Sequence, residues 1–124
     1  MNTRKTTLIL GASTNPERYA YKAAKSLMSH GYEIFLVGNK QGSISSVSIS
    51  NKFPKNKKIH TVTLYLSAKN QENYYTQILR CKPKRVIFNP GTENETLEKR
   101  LDKHQINHER SCTLILLSTG QYDI

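Results

Sequence analysis

An α/β fold with one doubly wound, mainly parallel five-stranded sheet and helices on both faces is what this sequence predicts. Three observations carry that expectation. Apolar blocks alternate with amphipathic segments, the blocks lack polar alternation as strands buried on both faces require, and most end in small or turn-forming residues. A length of 124 residues suits one domain over 1–124 with a single core.

The first strand is the wholly apolar run 8–10. A helix is expected over 16–30, where Tyr19, Ala20, Ala23, Ala24, Leu27 and Met28 recur at spacings of three and four. Asn15 suits its N-cap, Pro16 its first position, and His30-Gly31 its stop. Residues 33–37 form a second strand that ends at Gly38-Asn39-Lys40. The stretch 41–60 is rich in Ser and Lys; Ile44, Val47 and Ile49 suggest a short edge strand within a loop. Residues 61–66 are strongly β-prone. A helix over 70–80 carries Tyr74, Tyr75, Ile78 and Leu79 on one side, and a strand over 85–88 is halted by Asn89-Pro90-Gly91. A helix over 93–103, a short strand over 106–108 and an apolar segment over 112–118 complete the chain.

Composition narrows the function classes. The apolar fraction of 36% and mean hydropathy of −0.61 are low, yet the apolar residues are grouped in blocks, which indicates a folded chain. Nineteen Lys and Arg against nine Asp and Glu leave a net charge of +10, which favours anionic partners. The basic residues are spread out, the densest group being 52–58. No RNP-like aromatic pattern, KH loop or helix-turn-helix signal accompanies them, so nucleic acid is the weaker partner class. Residues 1–7 are polar, and no run reaches membrane-spanning length. With Cys81 and Cys112 as the only cysteines, the expectation is a cytoplasmic protein with free thiols and no membrane partner.

Ligands of open parallel sheets lie beyond the carboxyl ends of the strands, at the switch point. Those ends bring together Gly11-Ala12-Ser13, Gly38-Asn39-Lys40, Leu66-Ser67 and Asn89-Pro90-Gly91. The first of these loops runs on through Thr14 and Asn15 into a helix carrying Arg18 and Lys22, the arrangement of an anion site. Small residues at 11–13 would let a phosphate approach the backbone. The loop lacks the G-x-G-x-x-G fingerprint, because Ser13 and Pro16 stand where it needs glycines. The second strand ends in Asn39-Lys40, where a ribose diol would call for Asp or Glu. Both features argue against NAD and for a nucleotide with an extra phosphate. Each residue has a plainer reading: Gly11 and Asn89-Pro90-Gly91 as turns, Arg18, Lys22 and Lys40 as solvated charges, Cys112 as a structural thiol.

The whole pattern resembles the small bacterial coenzyme A-binding proteins, whose Rossmann-like domain also occurs in the α subunit of succinyl-CoA synthetase. The resemblance is carried by residues 11–18 (GASTNPER), 26–32 (SLMSHGY), 35–40 (FLVGNK), 61–65 (TVTLY), 82–93 (KPKRVIFNPGTE) and 109–113 (ERSCT). It implies a coenzyme A or acyl-CoA ligand, with Gly11, Ala12, Ser13, Thr14, Asn15, Arg18 and Lys22 around the pyrophosphate. Gly38, Asn39 and Lys40 would lie at the adenosine end, with Lys40 on its phosphate, and Leu66, Asn89, Pro90 and Gly91 along the pantetheine arm. Cys112 could meet the thiol end of that arm. No nucleophile–base–orienter set is visible, and His104, His108, Glu109 and Cys112 do not share a helix face for a metal. The expectation is binding without catalysis of its own. The alternatives are a cofactor-holding subunit of an acyl-CoA-forming or transferring enzyme, or an NAD(P)- or nucleic-acid-binding protein. A homodimer or a partner enzyme subunit both remain open.

Overall fold

A computed structural model describes residues 5–123. Seven strands form one sheet in the order β3-β4-β2-β1-β5-β6-β7. They are β1 (Thr7–Leu10), β2 (Ile34–Val37), β3 (Ser43–Ile44), β4 (Val47–Ser50), β5 (Thr61–Leu64), β6 (Arg85–Phe88) and β7 (Asn107–Arg110). All neighbours run parallel except β3 and β4. The expected five strands are therefore corrected to seven, in a mixed sheet. The difference lies in 41–60, where Ser45 takes a left-handed φ of 53° and turns the chain back into a hairpin. Strand β4 then pairs with β2, so β2 is an inner strand, and Ile44 and Ile49 are buried.

Five helices cover the sheet: α1 (Tyr19–Ser29), α2 (Ala68–Gln71), α3 (Tyr75–Cys81), α4 (Glu95–Lys103) and α5 (Thr113–Ser118). The strand period of two divides the core between the faces. Ile9, Leu36 and Ile87 point to the side packed with Ala20, Ala24 and Leu27 of α1 and Leu117 of α5. Leu8, Leu10, Val62, Leu64, Val86 and Phe88 point to the other, where Ile78 of α3 and Leu97 and Leu101 of α4 close over them. The doubly wound expectation holds in this respect.

Helix boundaries differ from the sequence reading in informative ways. The first helix starts at Tyr19, not Pro16, because Arg18 is extended (φ −80°, ψ 143°) and Asn15 organises a separate turn. The helix expected over 70–80 is broken into α2, a 3₁₀ turn (Glu72–Tyr74) and α3. Tyr74 departs from helical geometry at φ −114°, ψ 1°, and its ring stacks on Phe53 at 6.1 Å. Helix α4 begins later than expected because Asn94 is its N-cap, accepting from the Leu97 N–H at 3.0 Å. The strand expected over 106–108 is Asn107–Arg110, and the last apolar segment is α5.

At the amino edge of the sheet the C-terminal segment folds back. Tyr122 is buried edge-on to Tyr32, with the Arg85 guanidinium 4.4 Å from its ring and its hydroxyl bonded to Thr7. Arg85 donates to Thr61 Oγ1 and to the Tyr122 carbonyl. His60 sits half-buried beside this group. Burial, then the Arg85, Lys5 and Lys84 charges, hold its pKa down from 6.5 to about 4. The unfolded chain therefore binds this proton between pH 6.5 and about 4 while the folded chain does not. Stability from this source is present above pH 6.5 and is lost as the pH falls toward 4. Thermal melts across that window should show a steeper loss of Tm for the wild type than for His60→Asn; parallel curves would contradict the assignment.

Candidate functional site

The carboxyl ends of β1, β2, β4, β5, β6 and β7 lie along one edge of the sheet, and the loops leaving them form a line. From β1 the chain winds to β2 on one side, while β5 lies on the other, so the switch point is between Leu10 and Leu64. The expected loops are thus neighbours, joined by the extension of β4.

At the switch point the backbone is tightly packed. Gly11 has φ +101°, and a Cβ there would stand 2.9 Å from the carbonyl carbon of Tyr65. The N–H groups of Gly11 and Ala12 both donate to the Val37 carbonyl, at 2.8 and 2.9 Å. The smallness of Gly11 therefore serves the contact with β5, and its N–H is already engaged. Gly38 is equally constrained: its N–H donates to the Ser50 carbonyl at 2.9 Å, and a Cβ would lie 2.6 Å from the Ala12 carbonyl oxygen. A third close approach joins Thr14 to Gly42, where a Cβ would lie 2.6 Å from Thr14 Cγ2.

From Ser13 onward the loop turns outward. Ser13 Oγ accepts from the Asn15 N–H at 3.1 Å, Asn15 Oδ1 accepts from the Glu17 N–H at 3.0 Å, and the Asn15 carbonyl accepts from the Arg18 N–H at 3.0 Å. The N–H groups of Ser13 and Thr14 have no acceptor among the described residues, and no side chain caps the first turn of α1. These open donors precede a helix start whose dipole favours negative charge. Arg18 is exposed at the N-cap and has no ion-pair partner among the described residues. Lys22 is exposed as well, with its ammonium 5.3 Å from the Tyr19 ring centroid. Asn39 and Lys40 are exposed beside this loop.

Beyond the switch point, Leu66 is half-buried, and its carbonyl accepts from Gln71 Nε2 at 2.8 Å. Gln71 also donates to the Thr92 carbonyl and accepts from Asn94 Nδ2, tying the β5 and β6 loops together. Asn89 is fully engaged inside. Its Nδ2 donates to Thr63 Oγ1 at 2.7 Å and to the Leu64 carbonyl at 2.8 Å, while Oδ1 accepts from the Thr113 N–H at 2.9 Å. Its side chain locks α5 to the sheet, and Thr63 and Thr113 hydroxyls complete the network at 2.7 Å.

Pro90 and Gly91 are exposed, and the Gly91 N–H donates to both Glu93 carboxylate oxygens at 3.1 and 3.2 Å. Its own backbone N–H and that of Gly91 hold the Glu93 carboxyl below its usual range. Cys112 is half-buried at the start of α5. Nearby, the Tyr65 hydroxyl is buried beside Thr63 and Thr113, and burial raises its pKa. The other cysteine, Cys81, lies away from this edge, with burial pushing its thiol up to about 11.

No group of three His, Cys, Asp or Glu suited to a metal occurs among the described residues. His108 faces Asp102 at 2.8 Å, while Glu98 pairs with Arg110 at 2.8 Å. No helix among the described residues is long and apolar enough to cross a membrane. Sequence reasoning did not single out Tyr65, Gln71 or Gly42; two-residue strand exits and buried amides carry no local pattern that separates them from ordinary loop residues.

A mostly parallel sheet flanked by helices, with its exit loops meeting at a switch point, defines a Rossmann-like α/β domain. The sequence pattern of the CoA binding domain matches residues 5–118, and the chain belongs to that family. Among curated proteins none matches. A crystal structure of an uncharacterized protein superposes with a TM-score of 0.93 at 50% identity, over 98% of this chain and 100% of its own. A hypothetical protein from Pyrococcus horikoshii OT3 has a TM-score of 0.82 at 27% identity, over 93% and 82% of the two chains. A Thermus thermophilus structure, at 18% identity, TM-score 0.84 and coverage of 95% and 90%, shares the fold.

Two substitutions test the packing of this edge. Gly38→Ala should cost about 1–3 kcal/mol in urea unfolding, because its Cβ meets backbone and not a movable side chain. Asn89→Ala should cost about 2–3 kcal/mol by leaving the Thr113 N–H and Leu64 carbonyl without their buried partner. Stability within about 0.5 kcal/mol of wild type would contradict either account.

Proposed function

We propose that this protein binds coenzyme A or an acyl-CoA along the carboxyl edge of its sheet, without catalysis of its own. The observation that carries the reading is family membership over residues 5–118, on a chain whose switch-point loop has donors left over for an anion. The pyrophosphate would rest on the N–H groups of Ser13 and Thr14 and on the first turn of α1, with Arg18 supplying charge. In this arrangement Gly11, Ala12 and Gly38 shape the loop, and Asn15 holds its turn. Lys22 adds charge from the next turn, and Asn39 and Lys40 border the adenosine end. The pantetheine arm would follow Leu66 toward Pro90 and Gly91, over the platform that Asn89 braces.

The bound thiol would be the carrier of any acyl group; the chain's own residues bind and orient. Isothermal titration with coenzyme A, dephospho-coenzyme A, NAD and NADP tests the proposal. Coenzyme A should bind in preference to both dinucleotides, and Arg18→Ala should weaken it by about 10-fold, the worth of one charge-assisted contact. Preference for NAD or NADP, or no binding of coenzyme A, would overturn it.

A further inference from the structure

The Lys-rich segment 52–58 is the strongest feature that the proposed site does not use. Its placement follows from the register. Strands β2 and β4 are parallel, with Val37 opposite Ser50 as the last pair, and the Gly38 N–H donates to the Ser50 carbonyl at 2.9 Å. The two chains therefore leave the sheet side by side at the carboxyl edge, about 5 Å apart. Two residues beyond Gly38 stands Lys40; two beyond Ser50 stands Lys52.

Lys52 is held in place from both sides while its side chain is exposed. Its N–H donates to Ser50 Oγ at 3.1 Å. The next residue, Phe53, donates from its N–H to Gln77 Oε1 at 3.3 Å and stacks on Tyr74 with an interplanar angle of 26°. Neither Lys40 nor Lys52 has an ion-pair partner among the described residues. Cations carried on neighbouring strand exits without an ion-pair partner raise the local positive potential, and an anion placed between them lowers it.

We infer that Lys52, acting with Lys40, receives the ribose phosphate of the bound coenzyme and so sets selectivity for the phosphorylated nucleotide over its dephospho form. The inference rests on the coenzyme A reading above. It places half of the phosphate clamp on the segment that leaves β4, within the stretch 41–60 where the sequence suggests a short edge strand in a loop. Lys55, Lys57 and Lys58 follow in the same exposed segment and add to the positive field there.

Calorimetry of the wild type, Lys40→Gln, Lys52→Gln and the double variant against coenzyme A and dephospho-coenzyme A tests it. Lys52→Gln should weaken coenzyme A by about 5-fold and leave dephospho-coenzyme A within about 2-fold, and the double variant should lose the preference. The wild-type preference should also shrink between 50 and 500 mM salt, values chosen to span a Debye length of roughly 14 to 4 Å. Circular dichroism melts should match the wild type, since the Lys52 side chain is exposed. If the wild type binds coenzyme A and Lys52→Gln leaves the ratio of the two affinities unchanged, this inference fails and the coenzyme A reading stands. Failure of the wild type to bind coenzyme A overturns both.

Discussion

The Val37 carbonyl receives two N–H groups, from Gly11 and Ala12, and that shared acceptor is the constraint on which the functional edge depends. It pulls the loop after β1 across the end of β2, into a space that Gly38 leaves open and that a Cβ would close. Gly11 makes the matching approach to Tyr65 on the other flank. With residues 11 and 12 committed to the sheet, the chain is forced outward from Ser13, and the N–H groups of Ser13 and Thr14 lack acceptors among the described residues. A loop of larger residues could not approach both neighbouring strands, and the start of α1 would move with it.

A second layer of order comes from polar groups buried on the face under α1 and α5. Strand β5 alternates Val62 and Leu64 toward α3 and α4 with Thr61 and Thr63 toward α5. Those threonines are satisfied by Arg85 and by Asn89 and Thr113, so the short α5 is fixed by directional bonds as well as by Leu117. Buried polar groups of this kind cost stability when unpaired but specify position when satisfied. Here they set the level of the β6 loop, above which Pro90 and Gly91 are exposed. Glu93 occupies the Gly91 N–H in the same loop.

Charge acts on a longer scale. The net charge of +10 is distributed over the chain, and much of it is solvated surface. At the carboxyl edge the fold gathers Arg18 at the N-cap of α1, Lys22 within α1, Lys40 after β2 and Lys52 after β4. The cations around His60 lie at the opposite edge and bear on stability. A surface depression of about 450 Å³ beside Lys82, Lys84 and His104 also lies at that amino edge, away from the switch point.

The sequence by itself determined the α/β class, the alternation of strands and helices, the family, and the loops that meet at one edge. Each follows from local information: apolar blocks, helical spacing, turn residues and motif order. Tertiary structure alone decided that 41–60 is a hairpin whose second strand covers β2, since its short alternating pattern becomes stable only when backbone groups find a neighbour. It also decided that Gly11 and Asn89 face inward partners, and that α1 starts at Tyr19 and leaves its first N–H groups uncapped. Those outcomes depend on which strand lies beside which, a relation between residues distant in the chain that no local pattern encodes.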